Sequence, residues 1–407
     1  MSDQIKYSFF SFWRKEWFFL LILIIFFSNL LGTLGLYLGL VLVPFILKRA
    51  KFPYYIDSSF IYLLLFSITY VFSLSANDLF GEAKGYIIFY LIYPCAFYVL
   101  GRNLFTKWYD QKYLIFLIMI FSFAIPSIVI ILGDIVNNGY INSSRLIETN
   151  DGQFLAATLH GVNLSLGISC IGLLFAPTKN IMEKKYRIIF ILFGFICLIC
   201  NIHFLNRTGL VIMGIAILIV LVLKSLYFGF KKNLIVLFLI SIVLIGSYSS
   251  LSNSQILVGF NDRQEEQKYE SIGGGRGSRW SQGVDIILKN PFGGGDFIYG
   301  ERYYAHNFWL DVGEMGGIIP LIPLFFFTVL NLRKLITVVK RTFYESFFLG
   351  SLLLLLNLGF MLTFFVEPIL EGNSQYVFAY IMLVGMTSIM YKKNNLLNSK
   401  FNLNNNK

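Results

Sequence analysis

The chain is built from long apolar runs, each about as long as a bilayer crossing, separated by short stretches that carry nearly all the charge. A hydrocarbon core about 30 Å thick takes roughly 20 helical residues. Stretches of that kind fall near 17–31, 33–47, 59–76, 86–101, 113–133, 158–176, 187–204, 208–223, 233–250, 316–332, 346–365 and 375–391. Of the 407 residues, 57% are hydrophobic and only 14% charged, against about 25% charge in a soluble domain. Lipid must be the solvent for so much apolar surface. The expected fold is all-α, a polytopic transmembrane helix bundle of about 12 spans. No small-residue cleavage site interrupts the first run, which is expected to stay as an anchor.

Charge gives an independent test of that count. With the N-terminus inside, every second connection should be rich in Lys and Arg. Lys48, Arg49 and Lys51 follow the second run, Arg102, Lys107 and Lys112 the fourth, and Lys179, Lys184, Lys185 and Arg187 the sixth. Lys224, Lys231 and Lys232 follow the eighth, and Arg333, Lys334, Lys340 and Arg341 the tenth. With Lys6, Arg14, Lys15 and the tail (Lys392, Lys393, Lys400, Lys407), 24 of the 33 basic residues lie inside. The formal charge of +11 is therefore a topology signal rather than a nucleic-acid footprint, and both termini are expected in the cytoplasm. Residues 1–250 read as about nine spans with an outer loop at 134–157. A large extracytoplasmic connection, 251–315, precedes the last three spans at 316–391, and 392–407 reads as a solvated, disordered cytoplasmic tail.

The polar residues within or beside the runs are few. Cys197 and Cys200 form a CxxC inside an apolar run, which reads as two small hydrophobes rather than a redox or metal pair. His160, His203, His306, Arg207, Arg276 and Arg279 all map to the outer side. Such cations at the lipid boundary mark a candidate site. His160 and His203 read as interfacial packing, while Arg207 is balanced between snorkelling and function. In SIGGGRGSRWSQGVDIILKN (271–290), Trp280, Val284, Ile287 and Leu288 follow helical spacing, so an amphipathic helix is expected near 279–290. Its N-terminus, preceded by glycines and flanked by Arg276 and Arg279, has the chemistry of a pyrophosphate site. It is not a nucleotide loop, because GGGRGS lacks the Gly-Lys-Ser/Thr ending and no strand precedes it. His306-Asn307 stands at the mouth of the tenth span, with Asp311 and Glu314 within two turns to orient it.

In order, the chain reads Asn206-Arg207-Thr208-Gly209, Gly275-Arg276, Trp280, Pro291, Gly293 to Gly295, His306-Asn307, and Glu314 with Gly316. This series resembles the O-antigen polymerase and O-antigen ligase superfamily of bacterial surface-polysaccharide enzymes. The resemblance implies a metal-independent glycosyltransferase of the bacterial inner membrane, without a cofactor, acting on its outer face. Its donor would be a glycan on undecaprenyl pyrophosphate and its acceptor another glycan or lipid A core, with membrane lipid and other polysaccharide export proteins as partners. It assigns Arg207 and Arg276 to the pyrophosphate and His306 to the acceptor hydroxyl. Arg279, Trp280, Asn307 and Glu314 are added here as substrate-binding candidates. Gly317-Ile318-Ile319-Pro320 departs from the ligase pattern at its last position, which tilts the reading toward polymerase. A lipid-linked oligosaccharide flippase is the alternative from another class. It would place ionisable groups at the membrane midplane, whereas here they gather in the outer loops.

Overall fold

A computed structural model describes residues 2–29, 32–49, 56–77, 84–140, 146–148, 154–229, 276–294, 297–298, 301–302, 305–367 and 369–405. The helices are α1 (Ser2–Ser28), α2 (Gly32–Arg49), α3 (Ser58–Ala76), α4 (Lys84–Lys107) and α5 (Lys112–Asn138). A short antiparallel pair follows, β1 (Leu146–Glu148) with β2 (Phe154–Ala156). Next come α6 (Ala157–Ser169), continued as a 3-10 turn through Phe175, then α7 (Ile181–His203), α8 (Arg207–Phe228) and α9 (Arg276–Lys289). A second pair joins β3 (Phe297–Ile298) to β4 (Glu301–Arg302). The chain closes with α10 (Phe308–Gly316), α11 (Ile318–Glu345), α12 (Phe347–Val366), α13 (Ile369–Gly372) and α14 (Ser374–Asn405).

Seven of the described helical stretches are long and apolar enough to cross a membrane. The protein is a polytopic helical membrane protein. The remaining expected runs at 17–31, 33–47, 86–101 and 375–391 coincide with helices α1, α2, α4 and α14. The run at 233–250 lies outside the described residues, as does the connection at 251–275 with its glycines 273–275. The tail departs from expectation: α14 continues to Asn405. No Pro or Gly stands between Met386 and Asn405 to stop it.

Polar caps set where these helices begin. Asp57, Asn180, Asn206, Asn307 and Ser346 each precede a helix and accept from its first backbone N–H groups, meeting donors that the helix itself leaves unbonded. Pro94, Pro126 and Pro323 lie within helices, a pattern tolerated in membrane helices.

The chain forms two compact units. The first comprises Met1–Phe123, Trp280–Tyr344 and Pro368–Lys407. Its aromatic core stacks Phe26 on Phe97 at 4.9 Å and Phe97 on Phe378 at 5.7 Å. Helices α4 and α14 touch backbone to backbone, Gly101 lying against the Met382 carbonyl and Gly385 against the Tyr98 carbonyl. Small residues let membrane helices approach in this way.

Asp57 ties four helices of this unit together. It caps α3 through the Phe60 N–H at 3.0 Å and accepts from Tyr98 of α4 at 2.8 Å and Ser388 of α14 at 2.9 Å. Arg102 of α4 and Lys334 of α11 each approach its carboxylate at 3.1 Å. Burial pushes the Asp57 pKa up, but Lys334, the Phe60 N–H, Arg102 and Tyr98 outweigh it and hold the carboxyl below its usual 3.8. A carboxyl depressed in the fold adds stability above its unfolded pKa, and loses it as pH falls through the lower folded value. Thermal melts in detergent should therefore drop steeply below about pH 4. Asp57→Asn should flatten that acid limb and cost about 3 kcal/mol at neutral pH, since two cations lose their partner.

The second unit comprises Ala124–Arg279 and Glu345–Glu367. Its core gathers Ile128 and Ile131 of α5, Leu164 and Ile168 of α6, Cys197 and Cys200 of α7, and Ile212 of α8. Both cysteines of the CxxC are buried and free, packed as small apolar side chains.

Candidate active site

In the second unit α7 ends and α8 begins at the expected break, and Arg207 is the first residue of α8, half-buried. The turn that presents it is closely held. Leu205 adopts a left-handed φ of 51°. Asn201 donates through Nδ2 to the Asn206 carbonyl at 2.8 Å, and the Asn206 Oδ1 accepts from the Thr208 N–H at 3.0 Å. The Thr208 hydroxyl donates to Glu367 Oε1 at 2.8 Å.

Beneath the turn lies a pair that sequence reasoning passed over. His203, fully buried, meets Asp134 Oδ2 through Nε2 at 2.6 Å and the Tyr140 carbonyl through Nδ1 at 2.6 Å. Asn138 donates to the other Asp134 oxygen at 2.7 Å. His160 faces Ser127 Oγ at 3.1 Å and stacks on Phe204 with centroids 5.6 Å apart. The signal was available: Asp134 is an acidic residue ending an otherwise uncharged run, and such residues rarely lie at a span without a partner.

In the first unit His306 precedes α10 and is half-buried, with a φ of 55°. The left-handed region costs a residue with a side chain about 1–2 kcal/mol, so the neighbours must impose it. Asn307 caps α10, its Oδ1 accepting from the Trp309 and Leu310 N–H groups at 3.2 Å each. Asp311 Oδ1 accepts from the Ala305 N–H at 2.8 Å. The residues on both sides of His306 are thus fixed to α10. Asp311 orients the backbone around His306, a more specific role than tuning by proximity.

Glu314 is fully buried, with its Oε1 against Gly283 of α9, where a Cβ would collide with it. The inward face of α9 therefore consists of Gly283, Ile286 and Ile287, with Trp280 half-buried, while Val284 and Leu288 are exposed. This corrects the expected stripe of Trp280, Val284, Ile287 and Leu288: the close approach at Gly283 turns the helix so that its glycine faces inward. Gly283→Ala should lower the melting temperature, overpacking of this kind costing about 1–3 kcal/mol. An unchanged melt would mean the Glu314 carboxylate is not confined there.

The glycine motifs meet next to this contact. The Ile318 N–H donates to the Pro291 carbonyl at 2.9 Å and the Gly294 N–H to the Met315 carbonyl at 3.1 Å. Gly317, at φ 76°, sits against the Pro291 carbonyl, where no side chain fits. The Pro-x-x-Gly and Glu-x-Gly segments are thus one clasp joining the end of α9 to the head of α11. Arg276 opens α9, though its side chain lies outside the described residues; Arg279, one turn on, is exposed. The structure thus sets Gly283 against Glu314 and Ala305, ties Asp311 to Ala305 beside His306, and joins Pro291 and Gly294 to Ile318 and Met315, while Arg207 stands in the second unit.

Residues 188–325 match the family model described as O-antigen ligase. Over this segment the chain is similar to the O-antigen polymerase and ligase superfamily. The matched segment contains Arg207, Arg276, Arg279, Trp280, His306, Asn307 and Glu314. Asp134, His160 and Glu367, which support the Arg207 turn or lie near it, fall outside it. No curated protein matches the chain.

Proposed function

We propose that this protein joins lipid-linked oligosaccharide repeats into a surface polysaccharide, O-antigen, capsule or exopolysaccharide, on the outer face of the bacterial inner membrane. The donor is a glycan on undecaprenyl pyrophosphate. His306 accepts the proton of an acceptor sugar hydroxyl. The freed oxygen bonds to the anomeric carbon of the donor as the bond to pyrophosphate breaks, and the lipid diphosphate leaves. Arg207 and Arg276 stabilise the charge that develops on the departing diphosphate, as fixed guanidiniums do well. Arg279 adds a further cation, and Trp280, Asn307 and Glu314 shape the glycan side.

The observation that carries this reading is the matched segment 188–325, which contains every candidate residue. The left-handed His306 supports it, because strain imposed by neighbours concentrates where a side chain must be aimed. The matched family includes ligases, and the departure at Pro320 supports polymerisation over transfer to lipid A core. The flippase reading finds no support in the match. Deleting the gene and resolving surface glycan on a gel separates these activities. Loss of every band beyond one repeat supports polymerisation, whereas long polymer retained on the lipid carrier would establish a ligase. Repeats trapped on the cytoplasmic face would establish a flippase.

A further inference from the structure

We propose that Asp134, His203, Asn201 and Asn206 are positioning residues that aim Arg207 at the diphosphate, an inference that rests on the reading of Arg207 given above. Arg207 sits at the end of a turn whose peptides on both sides of it are tied to the buried side chains of Asn201 and Asn206. At the base, each ring nitrogen of His203 meets an oxygen acceptor, Asp134 Oδ2 and the Tyr140 carbonyl, both at 2.6 Å. The ring is locked in its plane, and with it the last residue of α7. Two residues earlier Asn201 reaches forward to the carbonyl of Asn206, in the peptide that leads into Arg207. The amide of Asn206 caps α8 and lies against Gly161 of α6, while that of Asn201 lies against Gly209 of α8, so neither has room to turn. Thr208, the residue after Arg207, is held by Glu367.

These side chains are costly to bury among apolar helices: Asp134 is 6% exposed, Asn201 1%, His203 0% and Asn206 3%. A break between two helices needs only a cap and a turn residue, and Asn206 and Leu205 already provide both. The further pair and the second asparagine restrict the direction in which α8 starts, and so the direction of its first side chain. An arginine that must hold a diphosphate bidentately benefits from such restriction, because misplacement of about 1 Å costs up to 100-fold.

The test uses the full-length protein in nanodiscs with inorganic pyrophosphate as the probe, its Kd read by calorimetry. Asn201→Ala and Asp134→Asn should each weaken binding about tenfold, with melting temperature near that of wild type. Thr208→Val should do the same and Thr208→Ser should restore binding. Combined with Arg207→Ala, none should add more than about twofold, because residues acting through one side chain are not additive. Wild-type affinity in Asn201→Ala and Asp134→Asn, or losses that add fully to that of Arg207→Ala, would overturn the proposal. If Arg207→Ala alone leaves pyrophosphate binding unchanged, the reading of Arg207 as a diphosphate contact fails first, and the inference fails with it.

Discussion

His306→Ala is expected to reduce glycan transfer by about 10²–10⁴-fold, the usual contribution of a positioned general base, with the protein still inserted and folded. In cells lacking the native gene the variant should leave surface glycan one repeat long while export of single repeats continues. Because His306 adopts a φ of 55°, alanine also changes the backbone preference, and the fold needs its own control. Asn tolerates the left-handed region better than other residues with a side chain, so His306→Asn should keep the native melting temperature and lose the activity. An active His306→Asn would remove the imidazole from the reaction. The neighbours predict a graded effect: Asp311→Asn keeps an acceptor for the Ala305 N–H and should lose less than His306→Ala.

Arg207→Ala is expected to reduce transfer by about 10²–10³-fold, comparable to removing one preorganised donor to a developing charge. Arg207→Lys should recover only part of it, because a lysine carries the charge without the fork that grips two oxygens. Kinetics with a synthetic lipid-diphosphate donor would separate the contributions. Loss in kcat and in kcat/KM together marks an interaction made with the leaving group in the transition state. A rise in KM alone would make Arg207 a simple anchor for the donor. Full activity in Arg207→Ala would leave the guanidinium with the snorkelling role that its place at a helix head allows.

Much of the helical architecture was legible from periodicity and charge. The break between α7 and α8 fell where Asn206-Arg207 interrupts an apolar stretch too long for one span, because a polar cap and a cation cannot continue into hydrocarbon. Buried polar partners were much less legible. Asp134 and His203 lie 69 positions apart and meet only because the fold brings the last turns of α5 and α7 within reach of each other; Thr208 and Glu367 are 159 apart. The amphipathic helix was placed correctly but rotated wrongly, because hydrophobic periodicity does not register that a glycine can be the residue of closest approach. The glycine motifs were read as family markers, while their physical role, a backbone clasp between Pro291 and Ile318, depends on a fold that joins them.

By itself the sequence determined that lipid is the solvent and that the chain is a helical membrane protein, and it singled out the few Arg and His residues that are candidates for chemistry. These follow from quantities summed along the chain, the length of apolar runs and the placement of charge, which need no knowledge of neighbours. Tertiary structure alone decided which way those side chains are aimed: the left-handed His306 between two anchored residues, and the Arg207 turn above a buried Asp134–His203 pair. At the Arg207 turn direction depends on hydrogen bonds between residues remote in sequence, Asp134 with His203 at 2.6 Å and Thr208 with Glu367 at 2.8 Å, and those exist only once the helices have packed.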